Sequence, residues 1–183
     1  AALDLYRETF EQAYLQVLRR KLGLAESGDP AADLALIRGL MACFASVETD
    51  MTLFFRQLGK LAEARPAVDA AFSQLRPAFY ANPSVQAQTR WTDWLADWLQ
   101  AIRTPDATRV ARMNAANPWL IPRNWLAQTA IQAAEQGDLR ELDRLMAALR
   151  DPYTEDPACA DLAQRRPDWA RDAPGCSALS CSS

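Results

Sequence analysis

Proline and cap residues cut this chain into helix-length pieces, and that punctuation limits its fold more than any other feature. Asp29-Pro30, Asn82-Pro83-Ser84, Thr104-Pro105, Asn117-Pro118 and Pro122 stand between stretches whose apolar residues recur with helical spacing. A side-chain oxygen that accepts a free amide, followed by a ring that fixes φ, starts a helix; a proline further in stops one. No stretch alternates apolar and polar residues convincingly enough to read as a strand. The spacing therefore predicts an all-α chain of about eight irregularly packed helices, followed by an extended C-terminal tail.

Each piece has a predicted inner face. Leu3, Tyr6, Phe10, Tyr14, Val17 and Leu18 form one stripe, closed by Gly23. Asp29 caps a second helix that buries Leu34, Ile37, Leu40, Met41 and Phe44. Asp50 caps a short third carrying Leu53, Phe54 and Leu58. Arg65-Pro66 opens a fourth with Val68, Phe72 and Leu75 inward, stopped or kinked at Pro77. A long fifth runs to about Arg103 with Val85, Trp91, Trp94, Leu95, Trp98, Leu99 and Ile102 as its apolar residues. Thr104-Pro105 starts a sixth reaching about Ala116, and Pro122 a seventh ending at Gly137. Asp138, with Glu141 at capping-box spacing, starts an eighth whose buried face is Leu139, Leu142, Leu145, Met146 and Leu149. Prolines 152, 157, 167 and 174 then break the chain every few residues. This divides it into a helical region, 1–150, and a proline-rich, cysteine-containing tail, 151–183, with a short helix expected around Asp161 to Arg165.

Composition excludes several function classes. The chain has 183 residues, 20 basic and 23 acidic, for a net charge of −3. That gives no basic field for nucleic acid. There is also no polybasic patch for anionic lipid, and no apolar run long enough to span a membrane. Histidine is absent, which removes Ser-His and Cys-His nucleophile pairs and the usual base at neutral pH. The N-terminal AALDLYRETF carries no initiator Met and no leader-like apolar region, and is expected to be the start of a helix in a piece of something longer or a processed product.

Few features could carry chemistry. Trp91, Trp94 and Trp98 share one helix face, which fits core packing better than an exposed platform for a partner. Asp93 and Asp97 form an i, i+4 carboxylate pair, as do Asp168 and Asp172 if the tail is helical there; such pairs are common on solvated faces. In NPWLIPRNWLAQTAIQAAEQGD, residues 117–138, Arg123 and Asn124 lie in a first helical turn with Gln128 one turn on; a structural role is favoured, with Arg123 pairing a carboxylate. Of the thiols, Cys43 reads as an inert core residue and Cys159 has no clear role. Cys176 and Cys181 match neither a CxxC redox motif nor a usual zinc spacing. A local disulfide between them, a bond from the tail to a distant cysteine, and an idle surface thiol all remain open.

The phrases NPxxIPRNxLAQxAIxAAExGD, LRDPYTEDP, RRPDWA and the terminal CSALSCSS, with KLGL and DMTLFFRQL upstream, resemble the C-terminal part of the selenoprotein O family, which includes the bacterial YdiU proteins. The resemblance implies a protein-kinase-like (pseudokinase) fold that binds ATP in inverted orientation. It also implies a divalent metal, Mg, and transfer of AMP to the Ser, Thr or Tyr hydroxyls of protein substrates. No glycine-rich loop, strand lysine or metal-binding DFG-like segment occurs here; the two lysines, Lys21 and Lys60, do not fit one. No catalytic, ATP-binding or metal-binding residue is therefore assigned to this chain. It is expected to be the scaffolding and regulatory C-terminal region of an adenylyltransferase, inactive alone and in contact with an N-terminal kinase-like region. The expected setting is the bacterial cytoplasm, with no nucleic acid or membrane partner. The resemblance further implies a redox role for Cys181, where some members carry selenocysteine, with Cys176 the nearest candidate partner. Two other readings compete: an autonomous helical module binding a protein through its tryptophan face, and a small thiol oxidoreductase using Cys176 and Cys181.

Overall fold

A computed structural model describes residues 2–25 and 29–176, apart from the side chains of residues 2–4 and 8. Among these residues there are eight α-helices and no strand. They are α1 (Ala2–Leu22), α2 (Pro30–Ser46), α3 (Met51–Ala64), α4 (Val68–Leu75), α5 (Val85–Ala101), α6 (Arg109–Ala116), α7 (Asn124–Glu135) and α8 (Arg140–Ala148). The chain divides into two compact units, 1–117 and 118–183. The change of composition after Arg150 falls inside the second.

In the first unit α5 is the central element. Trp91 and Trp98 are fully buried and Trp94 nearly so. Trp91 meets Phe79 at 5.2 Å and Phe54 at 5.4 Å between ring centroids, and Phe44 packs edge-on against Phe54 at 5.1 Å. Trp94 and Trp98, one turn apart, stack at 6.2 Å. Each of those two indoles spends its N–H on a carbonyl, Trp94 on Leu36 at 2.9 Å and Trp98 on Leu22 at 2.9 Å. Burying a polar edge is inexpensive only when it is paired in this way. The tryptophan face is therefore core, and the interaction module that needed it exposed loses its basis. Helix α2 reaches α5 closely because residue 39 is glycine: a β-carbon there would stand 3.1 Å from Trp94 Cδ1.

Helix starts follow the caps where the oxygen is free to turn inward. Asp29 accepts the amide of Ala31, Asp50 that of Leu53, and Ser84 that of Ala87. Elsewhere the start moves. Helix α6 begins at Arg109 rather than Thr104, because Asp106 holds a turn by accepting the amide and hydroxyl of Thr108. Arg65, at φ 48°, closes α3 instead of opening α4. Asp138 stands one residue before the cap position of α8 and binds the amide and guanidinium of Arg140.

Three predicted faces are corrected. Tyr6, Phe10, Tyr14 and Val17 are exposed, and only Leu18 of that stripe's described side chains enters the core; Leu3 lies outside the described side chains. Val85 is exposed at the first turn of α5. On α8 Leu145 is buried and Leu149 half-buried, while Leu139, Leu142 and Met146 face solvent. Periodicity fixes which residues share a face, but not whether a neighbour covers it.

The second unit packs Leu120, Leu126, Leu145 and Leu162 together, with Trp119, Trp125, Leu149 and Cys159 around them. Its tail is not extended over 151–176. It forms 3-10 turns at Pro157–Cys159 and Asp168–Ala170, with plain turns where a short helix was expected. The tail is anchored to the helices of its own unit. Pro152 accepts the amides of Trp119 and Leu120 at 2.8 and 3.1 Å, and Arg144 forks onto the Asp161 carboxylate while donating to Ala158 O at 3.0 Å. Leu162, Ala163, Ala170 and Cys176 are buried.

Candidate functional site

The thiols test the sequence reading first. Cys181 lies outside the described residues. Cys176 is a free thiol and is buried. It follows Gly175, whose φ of +77° only glycine adopts easily, and a β-carbon at 175 would stand 2.5 Å from Gln128 Oε1. Gln128, picked out in the sequence beside Asn124, thus walls in this turn.

Neither of the other described cysteines is activated. Cys43 sits fully buried on α2 and donates its thiol weakly to Arg90 O at 3.6 Å; burial pushes its pKa up to about 12, with Arg90 pulling slightly the other way. Cys159 is half-buried, and desolvation, then the neighbouring Asp156, raises its pKa. A nucleophilic thiol needs the opposite shift, so a thiol oxidoreductase finds no support in these two.

An open groove of about 880 Å³ runs between α2 and α5 in the first unit. Its floor is Leu36, Gly39 and Trp94, and Asp33, Asp93 and Asp97 line it against one cation, Arg90. Asp33 is in an ion pair with Arg19 at 2.6 Å, yet its pKa is raised, because burial outweighs the arginine. The carboxylate pair Asp93 and Asp97 therefore lies on a groove wall. Asp168 and Asp172 remain exposed in the tail. A wall with more carboxylates than cations repels a triphosphate. Among the described residues no group of three or more Cys, Asp or Glu side chains is placed to hold a metal ion. This groove therefore offers a triphosphate no cationic cradle.

Cations serve helix ends throughout the first unit: Arg56 and Arg109 are buried, Lys21 is half-buried and Arg65 is exposed. Lys21 donates to Ala116 O at 3.0 Å and to Asn117 Oδ1 at 3.1 Å, with its ammonium 4.9 Å from the Phe55 ring centre. Burial lowers its pKa. Asn117, almost fully buried, returns its amide to Lys21 O at 3.0 Å, and Arg56 donates to Asn117 O at 3.1 Å. Arg109 donates to Gly23 O at 3.0 Å and Thr104 O at 2.9 Å, and burial lowers its pKa too. Arg65 donates to Ile102 O. Cations at the carbonyl ends of α1, α5 and α6 meet the negative pole of each helix and fill its free acceptors. The sequence marked Asn117-Pro118 only as a helix break, and nothing in the pattern identified Asn117, Lys21, Arg56 or Arg109 as members of this hub.

The described residues thus form charge-capped helices in which Cys43 and Cys176 are buried. A family model for "Protein adenylyltransferase SelO" matches residues 1–150. The chain is 43% identical over 185 residues to the protein nucleotidyltransferase YdiU of Aromatoleum aromaticum, covering 99% of this chain and 34% of that protein. It is 44% identical over 190 residues to YdiU of Xanthomonas campestris pv. campestris, covering 100% of this chain and 35% of that protein. It is also 41% identical over 207 residues to YdiU of Nitrosospira multiformis, covering 99% and 36%. The chain belongs to the SelO/YdiU family of protein adenylyltransferases. It spans about a third of the length of these relatives.

Proposed function

We propose that this chain is the C-terminal scaffolding and redox-regulatory region of a protein adenylyltransferase. The whole protein would have a kinase-like fold and transfer AMP from ATP to Ser, Thr or Tyr hydroxyls of protein substrates in the bacterial cytoplasm. The acceptor oxygen attacks the α-phosphorus and pyrophosphate leaves. The residues that bind ATP and Mg belong, on this reading, to the two-thirds of the relatives' length outside this chain. The observation that carries it is the share of the match: nearly all of this chain aligns with a third of a named nucleotidyltransferase. The acidic wall of the α2–α5 groove agrees with a nucleotide site elsewhere.

The test uses labelled ATP and a chimaera in which this chain replaces the aligned part of the Aromatoleum aromaticum relative. The chimaera should label protein in the presence of Mg, and this chain alone should not. Labelling by the chain alone would place the active site within it.

Redox control is assigned to Cys181. Two thiols and one peroxide give a disulfide and two waters, so Cys181 and a second cysteine suffice with a peroxide oxidant. The expected outcome is a peroxide-dependent, thiol-reversible change in the chimaera's turnover that disappears in Cys181→Ser. If Cys176 is the partner, Cys176→Ser removes it equally; if not, only the Cys181 change does.

A further inference from the structure

Helix α1 carries an aromatic row that the described residues leave bare. Tyr6 is 68% exposed, Phe10 55% and Tyr14 44%. The rings are one turn apart and stacked, at 6.2 Å for Tyr6–Phe10 and 6.0 Å for Phe10–Tyr14. The next residue of the row, Leu18, is buried in the core. The row is thus a core seam that continues past its cover.

The register explains where the cover ends. Arg19 pairs with Asp33, and Tyr14 reaches Met41 Sδ at 3.9 Å, so α1 and α2 run antiparallel. Moving back along α1 moves forward along α2. Phe10 comes level with the last turn of α2, and Tyr6 passes beyond Ser46, where α2 stops. Three adjacent aromatics in solvent are unusual for a soluble surface. Tyrosines flanked by charges, here Arg7 and Glu11, are characteristic of a contact surface that is apolar in the middle and wet at its edge.

We infer that the Tyr6–Phe10–Tyr14 row is the seat on which the remaining two-thirds of the adenylyltransferase packs within the same polypeptide. This rests on the function proposed above. The relatives supply the occupant: each aligns with this whole chain and is about three times as long, so a large body of the same protein needs a docking face here. A second copy of the chain is the competing occupant.

Hydroxyl-radical footprinting on the isolated chain and on the chimaera separates them, with rates normalised to an appended reporter peptide. Tyr6, Phe10 and Tyr14 should react freely in the isolated chain and at least about fivefold more slowly in the chimaera, as expected for the desolvated middle of an interface. The double change Tyr6→Ser, Phe10→Ser should leave the unfolding midpoint of the isolated chain within about a degree, since those two rings stand mostly in solvent there, and lower that of the chimaera by several degrees. Equal reactivity in both proteins overturns the inference. So does protection in the isolated chain, whether it rises with concentration, which identifies a second copy, or is present at every concentration, which means the chain covers its own row. AMP transfer by the same chimaera is scored separately. Transfer with an unprotected row sinks only the docking face; protection without transfer sinks only the proposed function.

Discussion

Asp50 joins two parts of the first unit through one carboxylate. Its Oδ1 accepts the amide of Leu53 at 3.0 Å, capping α3, and its Oδ2 accepts the Tyr80 hydroxyl at 3.2 Å. Asp50→Ala should destabilise the chain by about 1–2 kcal/mol in urea unfolding, the usual loss for a cap, and Tyr80→Phe by less, because the cap survives it. Gly23 is equally constrained. Its φ is +69°, and a β-carbon there would stand 2.6 Å from Met113 Sδ. Gly23→Ala combines backbone strain with a clash and should cost about 1–3 kcal/mol by the same measurement. Cys43, with its pKa pushed up to about 12, should not react with a disulfide reagent at neutral pH until the chain is unfolded. Its inertness was legible in the sequence, because an inward helix position surrounded by apolar residues desolvates a thiol. The burial of Cys176 was not, since neither its serine-rich surroundings nor Pro174 reveals that Gln128 closes over that turn.

At the scale of the element, charge decides the pH response. The Arg112 and Thr108 hydrogen bonds hold the Asp106 pKa well below the carboxylate range, and the Arg140 hydrogen bonds hold Asp138 at about 2. A depressed folded-state pKa contributes stability above the unfolded value of about 3.9 that is lost as pH falls through the folded value. Acid should therefore weaken the turns before α6 and α8, and Asp106→Asn should flatten the fall in unfolding midpoint below about pH 4. Asp33 acts in the opposite sense. Its raised pKa makes the folded state hold a proton longer, so its contribution falls as pH rises from about 3.9 through the folded value. All three aspartates precede or open helices in the sequence. Only Asp33 is buried, and that burial, helped by the neighbouring Asp29 charge, reverses its sign.

At the scale of the whole molecule, every fully or nearly buried residue of the aromatic-rich core lies between Leu18 and Met113, within the first unit. Residues 1–117 produced alone should unfold cooperatively and keep the blue-shifted emission of Trp91, Trp94 and Trp98. Red-shifted emission in that fragment would mean the core needs residues beyond 117. The family resemblance was legible from ordered phrases spread over most of the chain, because those phrases fix helix ends, turns and tight packing at once. The division after Asn117 was not, because it depends on which helices touch, whereas the visible change of composition falls at Arg150.

The helices, most of their ends and the family are readable from local sequence alone. Caps, prolines and 3.6-residue periodicity act through near neighbours and need no distant contact. Which apolar faces are covered was settled by packing between helices, which leaves Tyr6, Phe10 and Met146 outside while burying Trp91. The same packing made helix caps of Lys21, Arg56 and Arg109, with both arginines buried. Burial and charge compensation are set by whatever arrives from elsewhere in the chain, and no local pattern encodes that arrival.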